Sequence, residues 1–198
     1  MAVNMAQKRA RKAQRQKQLV ALKRRADALE AGLPARVARA AQAPIQGCFL
    51  TEGIFDLGLG SLILARGATT EAVTFSSFLL DVFCLGIKDV MFKQVDGDEF
   101  DYYLEVSNAG SPLTSVDPRD ARKLLRELAA WSQSIGFAPH RDFAAAERLF
   151  GDVRADESDA VFQFGQDGKP VYIPGPSETA SQIRMRTAQI ERYLLAGN

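Results

Sequence analysis

The run "EAVTFSSFLLDVFCLG", residues 71 to 86, constrains the fold of this chain more than any other segment. With the two-residue period of a β-strand, both of its faces are apolar. One face carries Val73, Phe75, Leu79 and Phe83, and the other carries Ala72, Phe78, Leu80, Val82 and Cys84. A strand of this kind belongs inside a sheet that is covered on both sides. The sequence therefore predicts a central strand with neighbours at both edges and a layer over each face.

Shorter patterns predict the elements on either side of this strand. "IQGCFLTEGIF", from Ile45, is typical of a strand, and a second strand over about residues 60 to 66 is joined to the central one by residues 67 to 70. After Gly86, "IKDVMFKQV" predicts about two turns of helix. Residues 96 to 112 predict a short helix followed by a loop.

The second half of the chain predicts helices and one hairpin. Asp117 as N-cap, Pro118 at the first helical position and Gly136 after the last apolar residue delimit the clearest helix. A shorter helix ends at Gly151, a hairpin turns at the Asp-Gly of "FQFGQDGKPVYI", and a last helix follows the cap Ser177. Strands followed by helices predict the α+β class: an antiparallel sheet packed with helices, preceded by a basic N-terminal helical arm.

The net charge of +1 hides two oppositely charged parts. Residues 1 to 40 contain 11 Lys and Arg and two acids, a net charge of +9, whereas the rest contains 14 basic and 22 acidic residues, a net charge of −8. Gly32 and Pro34 predict the end of the arm helix. The predicted division is a basic helical arm, residues 1 to 44, and a single α+β domain, residues 45 to 198.

The arm is rich in Ala, Gln, Lys and Arg, which favour helix, but residues 8 to 18 have no apolar stripe to bury. Three interpretations are open: a solvated tail, a helix on RNA or a ribonucleoprotein, and an organelle targeting peptide. Because the arm has no aromatic residue, binding through it is expected to depend on phosphates rather than bases. The candidate nucleic-acid-binding residues are Lys8, Arg9, Arg11, Lys12, Arg15, Lys17, Lys23, Arg24 and Arg25.

A group of polar residues at and after the end of the central strand forms the candidate catalytic site. Asp81 lies on an apolar face, where a carboxylate has to be hydrogen-bonded, paired or at a cleft. Lys88 and Asp89 fall near the start of the predicted helix, and His140 is the only histidine. Asp81, Lys88, Asp89 and His140 form one hypothesis, the site of a metal-dependent phosphodiesterase or nuclease. In the second hypothesis, "DVFCLGIKD" is a strand end, a glycine turn and a helix start, and Asp81 is a structural anchor.

Composition narrows the remaining function classes. Cys48 and Cys84, without a secretory leader, fit a reducing cytosol, and Cys84 is expected to be a buried hydrophobe rather than a nucleophile. One histidine and two distant cysteines do not make a zinc site, and no Walker or dinucleotide motif is present, so no cofactor is expected. No window has the roughly 18 apolar residues of a spanning helix. We therefore expect a cytoplasmic protein without a membrane partner.

Three segments, "FLLDVFCLGIKDV", "SIGFAPHRDFAAAERLFGDV" and "FQFGQDGKPVYIPGP", resemble an uncharacterised bacterial protein family. Its pattern is D-x-x-C-L-G-x-K-D at a strand end and a later G-F-x-P-H-x-D segment. The resemblance covers about residues 45 to 195, excludes the basic arm and implies no activity. It singles out one group of residues, either a site or a folding signature: Asp81, Cys84, Lys88, Asp89, His140 and Asp142.

The charge pattern favours an RNA or ribonucleoprotein binding protein whose basic N-terminal helix contacts phosphates. The hydrolase around Asp81 is one alternative. A protein-binding adaptor, whose arm binds an acidic protein partner, is the other.

Overall fold

The structure is a computed structural model that describes residues 32–69 and 72–197. Most of the predicted basic arm, including its nine candidate RNA-binding residues, lies outside the described residues. The predicted α+β class is confirmed, because a five-stranded antiparallel sheet in the order β4-β3-β2-β1-β5 is packed with helices.

The strands are β1, Ile45–Thr51; β2, Leu59–Thr69; β3, Ala72–Asp81; β4, Gly86–Val95; and β5, Leu113–Ser115. The helices are α1, Leu33–Ala40; α2, Ile54–Leu57; α3, Gly97–Gly110; α4, Pro118–Ile135; α5, Phe143–Ala146; and α6, Ala180–Leu195. Two 3₁₀ turns, Glu147–Phe150 and Ala155–Glu157, follow α5.

The central strand is β3, which pairs with β2 on one edge and β4 on the other, as its two apolar faces predict. On one face Phe78 and Leu80 pack in the main core with α1, α4 and α5. On the other face Val73 and Phe75 pack against Phe100 of α3. The sheet is therefore the middle layer, with α3 on one side and the remaining core helices on the other.

The prediction of a helix after Gly86 is wrong, because residues 86 to 95 form strand β4 and pair with β3 along its length. Leu80 pairs with Ile87 but Leu79 pairs with Asp89, so Lys88 is the extra residue of a β-bulge. The bulge brings Ile87 and Val90, three positions apart, onto the same core-facing side of the strand. Because three is also a helical interval, the bulge gave a strand the apolar spacing of a helix.

The hairpin predicted around Asp167-Gly168 forms only its turn. Both turn residues have positive φ, +51° and +76°, and Gln166 and Lys169 make an isolated bridge. The flanking residues form no ladder and bind the β3–β4 loop instead: Gly165 N–H donates to the Val82 carbonyl at 2.8 Å, and Val171 N–H donates to the Phe83 carbonyl at 2.9 Å. The two arms of the predicted hairpin therefore bond to the β3–β4 loop instead of to each other.

Gly32 and Pro34 begin a helix, and the arm helix whose end they were predicted to mark lies outside the described residues. Gly32 is the N-cap of α1 and Pro34 lies in its first turn, where the missing N–H costs nothing. Val37, in the middle of α1, is fully buried in the main core. Residues 33–40 therefore pack as part of the body, which extends at least back to α1 rather than starting at residue 45.

Helix boundaries followed their local signals with two exceptions. Asp117, Pro118 and Gly136 delimit α4 as predicted, and Gly136 has φ +103°. The helix α3 is longer than predicted, with 14 residues. The cap of α6 is Thr179 instead of Ser177, because Thr179 forms a reciprocal capping box with Gln182.

We expect Gly86→Ala to lower the free energy of unfolding by about 2 kcal/mol or more. Gly86 has φ +72°, and an added Cβ would lie 2.2 Å from the Oγ of buried Ser132 in α4. Denaturant unfolding of the variant measures the effect. Gly110→Ala is the control, since a Cβ there meets nothing within 4 Å. Equal stability of the two variants would contradict this account of the loop.

Candidate functional site

Asp81 ends β3 and holds the four-residue loop, 82 to 85, that leads into β4. Its Oδ1 accepts hydrogen bonds from the backbone N–H of Phe83 at 3.2 Å and of Cys84 at 2.9 Å. Burial raises the pKa of its carboxyl group, while these bonds and the charge of Lys88 act to lower it. The expected backbone hydrogen bonds of Asp81 are confirmed, so this carboxylate anchors the loop.

Lys88 and Asp89 lie in β4 rather than at a helix start, which removes the helix-dipole explanation of their placement. Lys88 is the bulged residue. Asp89 is an exposed residue whose Oδ1 accepts from the Val90 N–H at 2.8 Å. Lys88 is half-buried and its charge acts on Asp81, whereas Asp89 is exposed.

His140 lies in the loop between α4 and α5, and this loop is attached to β4. The His140 N–H donates to the Ile87 carbonyl at 2.9 Å, and His140 Nδ1 accepts from the Asp142 N–H at 3.3 Å. Its Nε2 lies 3.7 Å from Asp89 Oδ1. The fold thus brings His140 and Asp89 together. In the described part of the chain, no hydrogen bond or ion pair joins either residue to Asp81.

A metal-dependent reaction needs a set of ligands. Within residues 32–69 and 72–197, no group of three or more His, Cys, Asp and Glu side chains is placed to hold a metal ion. The acids and the histidine of the candidate catalytic group therefore do not form a metal site with described neighbours.

Both cysteines are buried, as expected for Cys84. Burial raises the pKa of each thiol to about 12, with Asp117 adding to the effect at Cys48 and Asp81 adding to it at Cys84. Since the thiolate is the nucleophile, neither residue is activated at neutral pH.

We therefore expect both thiols of the native protein to react very slowly with a thiol-specific reagent at neutral pH. Both should react at once in guanidinium chloride, which exposes them. Counting modified cysteines by mass spectrometry over time checks this, and rapid native labelling of Cys84 would contradict it.

The basic face of α4 is occupied by internal partners. Arg122 Nε lies 2.6 Å from Glu147 Oε1, and Arg126 binds the same oxygen at 2.9 Å. Lys123 donates to the Ser158 carbonyl at 3.1 Å, and Arg119 pairs with the helix cap Asp117 at 2.7 Å. Arg122, Lys123 and Arg126 thus hold residues 147 to 158 against α4, and all four cations of this face already have an internal partner.

A second cationic group, which was not singled out from the sequence, lies beside α1. Arg36 is half-buried with its guanidinium 5.1 Å from the centre of the Phe92 ring, and Arg39 is exposed. Arg66 of β2 is buried and lines the same cavity as these two arginines. The signal in the sequence was Arg66 itself, a charge directly after the apolar run "LILA" of a predicted strand.

No family model, curated protein or solved structure matches the chain. The resemblance to a bacterial family stays a prediction. Among the helices that the structure describes, none is long and apolar enough to cross a membrane.

We expect Asp81→Ala to lower the free energy of unfolding by about 1–3 kcal/mol, because two buried N–H groups lose their acceptor. Asp81→Asn keeps an acceptor oxygen and should lose less. The pKa of Asp81 is raised in the folded state, so native protein binds this proton more tightly than unfolded protein. The stability that Asp81 contributes therefore falls as pH rises from its ordinary pKa near 3.8 through the folded value.

Asp81→Asn lacks this titration, and its stability relative to wild type should rise over the same pH window. Urea unfolding of wild type and both variants at several pH values measures the difference. An Asp81→Ala protein as stable as wild type would contradict the anchoring role.

Proposed function

We propose that this protein binds RNA or a ribonucleoprotein surface through phosphate contacts made by its basic N-terminal segment. The observation that carries the proposal is the separation of charge, +9 in residues 1 to 40 against −8 in the rest. A polyanion is attracted to the first part and repelled by the second.

The described part of the chain supports this orientation because the sheet separates opposite charges. On one face α1 carries Arg36 and Arg39 at the point where the basic segment joins the body. On the other face α3 exposes a run of acids: Asp98, Glu99, Asp101 and Glu105. RNA bound to the basic segment would therefore meet the α1 side of the body and be kept from the α3 side.

The anchoring of α1 also supports the proposal. Val37 fixes α1 to the main core, so Arg36 and Arg39 are held on a rigid support. A basic segment that continues into this helix would extend its phosphate contacts onto a surface with a defined geometry.

The hydrolase alternative has weaker support. Asp81 is committed to the loop that it anchors, the group with Lys88, Asp89 and His140 has no metal-ligand set among described neighbours, and the thiols are not activated. An acidic protein partner would use the same basic residues as RNA, and competition with free RNA separates the two cases.

The test uses the full-length chain and two variants that each lose three positive charges. Lys8, Arg11 and Arg15 are changed to Gln in one, and exposed Arg141, Lys169 and Arg184 of the body are changed to Gln in the other. RNA affinity of the wild type should fall steeply with salt. The first variant should reduce the log–log salt slope by about 2, at about 0.7 per single-strand phosphate contact.

The second variant should keep the wild-type slope, since its charges lie on the body. Affinity is measured by fluorescence anisotropy with a labelled single-stranded RNA across a salt series. Salt-independent binding, or equal losses in the two variants, would contradict binding through the N-terminal segment.

A further inference from the structure

A small cavity opens between α1 and the ends of β2, β3 and β4. Its volume is about 200 Å³, the space of roughly six water molecules at about 30 Å³ each. Its lining includes three arginines, Arg36, Arg39 and Arg66, and no Asp or Glu among the residues that the structure describes. A cavity with this lining concentrates positive charge in a space suited to a small anion.

Arg66 is the buried wall of the cavity, with a side chain only 5% exposed. Its two terminal nitrogens donate to the carbonyls of Ala43 at 2.6 Å and Phe150 at 2.7 Å. Its Nε is buried and has no hydrogen-bond partner within the described ranges. Among the described residues, the one carboxylate paired with it belongs to Asp152, whose side chain is 98% exposed and 3.8 Å away.

The two carbonyls satisfy hydrogen bonds but leave the charge of the guanidinium unneutralised. A buried charge is costly unless a close opposite charge offsets its transfer from water. Burial lowers the pKa of Arg66, and nearby Arg122 adds to this effect, whereas Asp152 opposes it. An anion in the cavity would supply the missing negative charge.

The two arginines of α1 bring more charge to the same space. Arg36 and Arg39 are three positions apart, so they lie on one side of the helix as like charges. Contact with the Phe92 ring restrains Arg36. Arg39 is exposed and makes no ion pair with the residues described here. A shared anion would convert the repulsion of these groups into attraction.

The sheet end adds neutral donors. Arg66 pairs across the strands with Thr74, and Thr74 pairs with Gln94, so the three side chains share one face of the sheet. Thr74 and Gln94 also line the cavity. A hydroxyl and an amide can donate to anion oxygens that the guanidinium groups leave free.

We propose that this cavity binds one phosphate group, held by Arg36, Arg39 and Arg66. Guanidinium forks match the oxygens of a phosphate, and the tetrahedral group can meet arginines from both the helix and the sheet. A phosphate of bound RNA and free inorganic phosphate have this chemistry in common. The assignment of RNA as the source rests on the proposed RNA-binding function, whereas binding of the phosphate group itself does not.

The first arm of the test uses inorganic phosphate with isotope-labelled, full-length protein, at ionic strength kept constant with chloride. Saturable shifts of the backbone amide signals of Arg66, Thr74 and Gln94 are expected in NMR spectra. Arg39→Gln should weaken phosphate binding by about tenfold or more, the loss expected for one charge-assisted hydrogen bond. Arg184→Gln, which removes an exposed charge from α6, should bind phosphate like wild type.

Arg39 is chosen because it is exposed and its replacement leaves the core intact, whereas replacing Arg66 would leave the Ala43 and Phe150 carbonyls without donors. Absence of saturable shifts, or equal phosphate affinity of Arg39→Gln and wild type, would overturn the proposal. So would shifts of the same size with acetate in place of phosphate.

The second arm measures RNA affinity of the double variant Arg36→Gln and Arg39→Gln, with Arg184→Gln as control. Loss of RNA affinity in the double variant alone identifies the RNA backbone as the source of the phosphate. If phosphate binds the cavity but wild type binds no RNA, the cavity stands and the RNA function fails. If wild type binds RNA, but phosphate causes no saturable NMR shifts and the double variant binds RNA as tightly as wild type, the cavity assignment fails and the RNA function stands.

Discussion

The buried carboxylate of Asp81 fixes the loop at one end of the sheet, and residues from the last third of the chain pack against this loop. By accepting from the Phe83 and Cys84 N–H groups it sets the loop between β3 and β4. The shaped loop places Cys84 and Leu85 in a cluster with α4 and α6. It also directs the carbonyls of Val82 and Phe83 to residues 165 and 171. One side chain thus determines where an irregular segment and the C-terminal helix are attached.

Arg66 has the corresponding position at the opposite end of the sheet, but its hydrogen bonds are less complete. It joins the turn after α1, through Ala43, to the 3₁₀ turn that ends at Phe150. Asp81 has two backbone donors and a nearby lysine. Arg66 has two backbone acceptors, but among the described residues its Nε has no partner and its paired acid, Asp152, is exposed to solvent. This difference explains why the first residue is a structural anchor and the second marks a place where a ligand would stabilise the protein.

Positive and negative charges are unevenly distributed over the body. Basic α1 and acidic α3 lie on opposite faces of one sheet, so the body presents different potentials to a polyanion on its two sides. On α4, in contrast, Arg122 and Arg126 are partly neutralised because they share Glu147. The arginines beside α1 are the group most closely linked in sequence to the basic N-terminal segment.

Local sequence patterns are enough to predict the elements whose signals lie within a few residues of each other. The caps of α4 and the two apolar faces of β3 were predicted because capping and burial periodicity depend on neighbours along the chain. The anchoring of Asp81 also followed, since a carboxylate on an apolar face needs partners.

The remaining features could not be predicted locally, because they depend on partners that are distant in sequence. The bulge at Lys88 made β4 resemble a helix, and pairing with β3 overrode that spacing. Beside the Asp167-Gly168 turn, the N–H groups of residues 165 and 171 donate to the carbonyls of residues 82 and 83 instead of forming a hairpin ladder. Gly32 and Pro34 begin α1, and burial of Val37 against distant residues holds that helix on the core. The cavity of Arg36, Arg39 and Arg66 likewise exists only because α1 packs over the end of β2, where long-range packing places three like charges together.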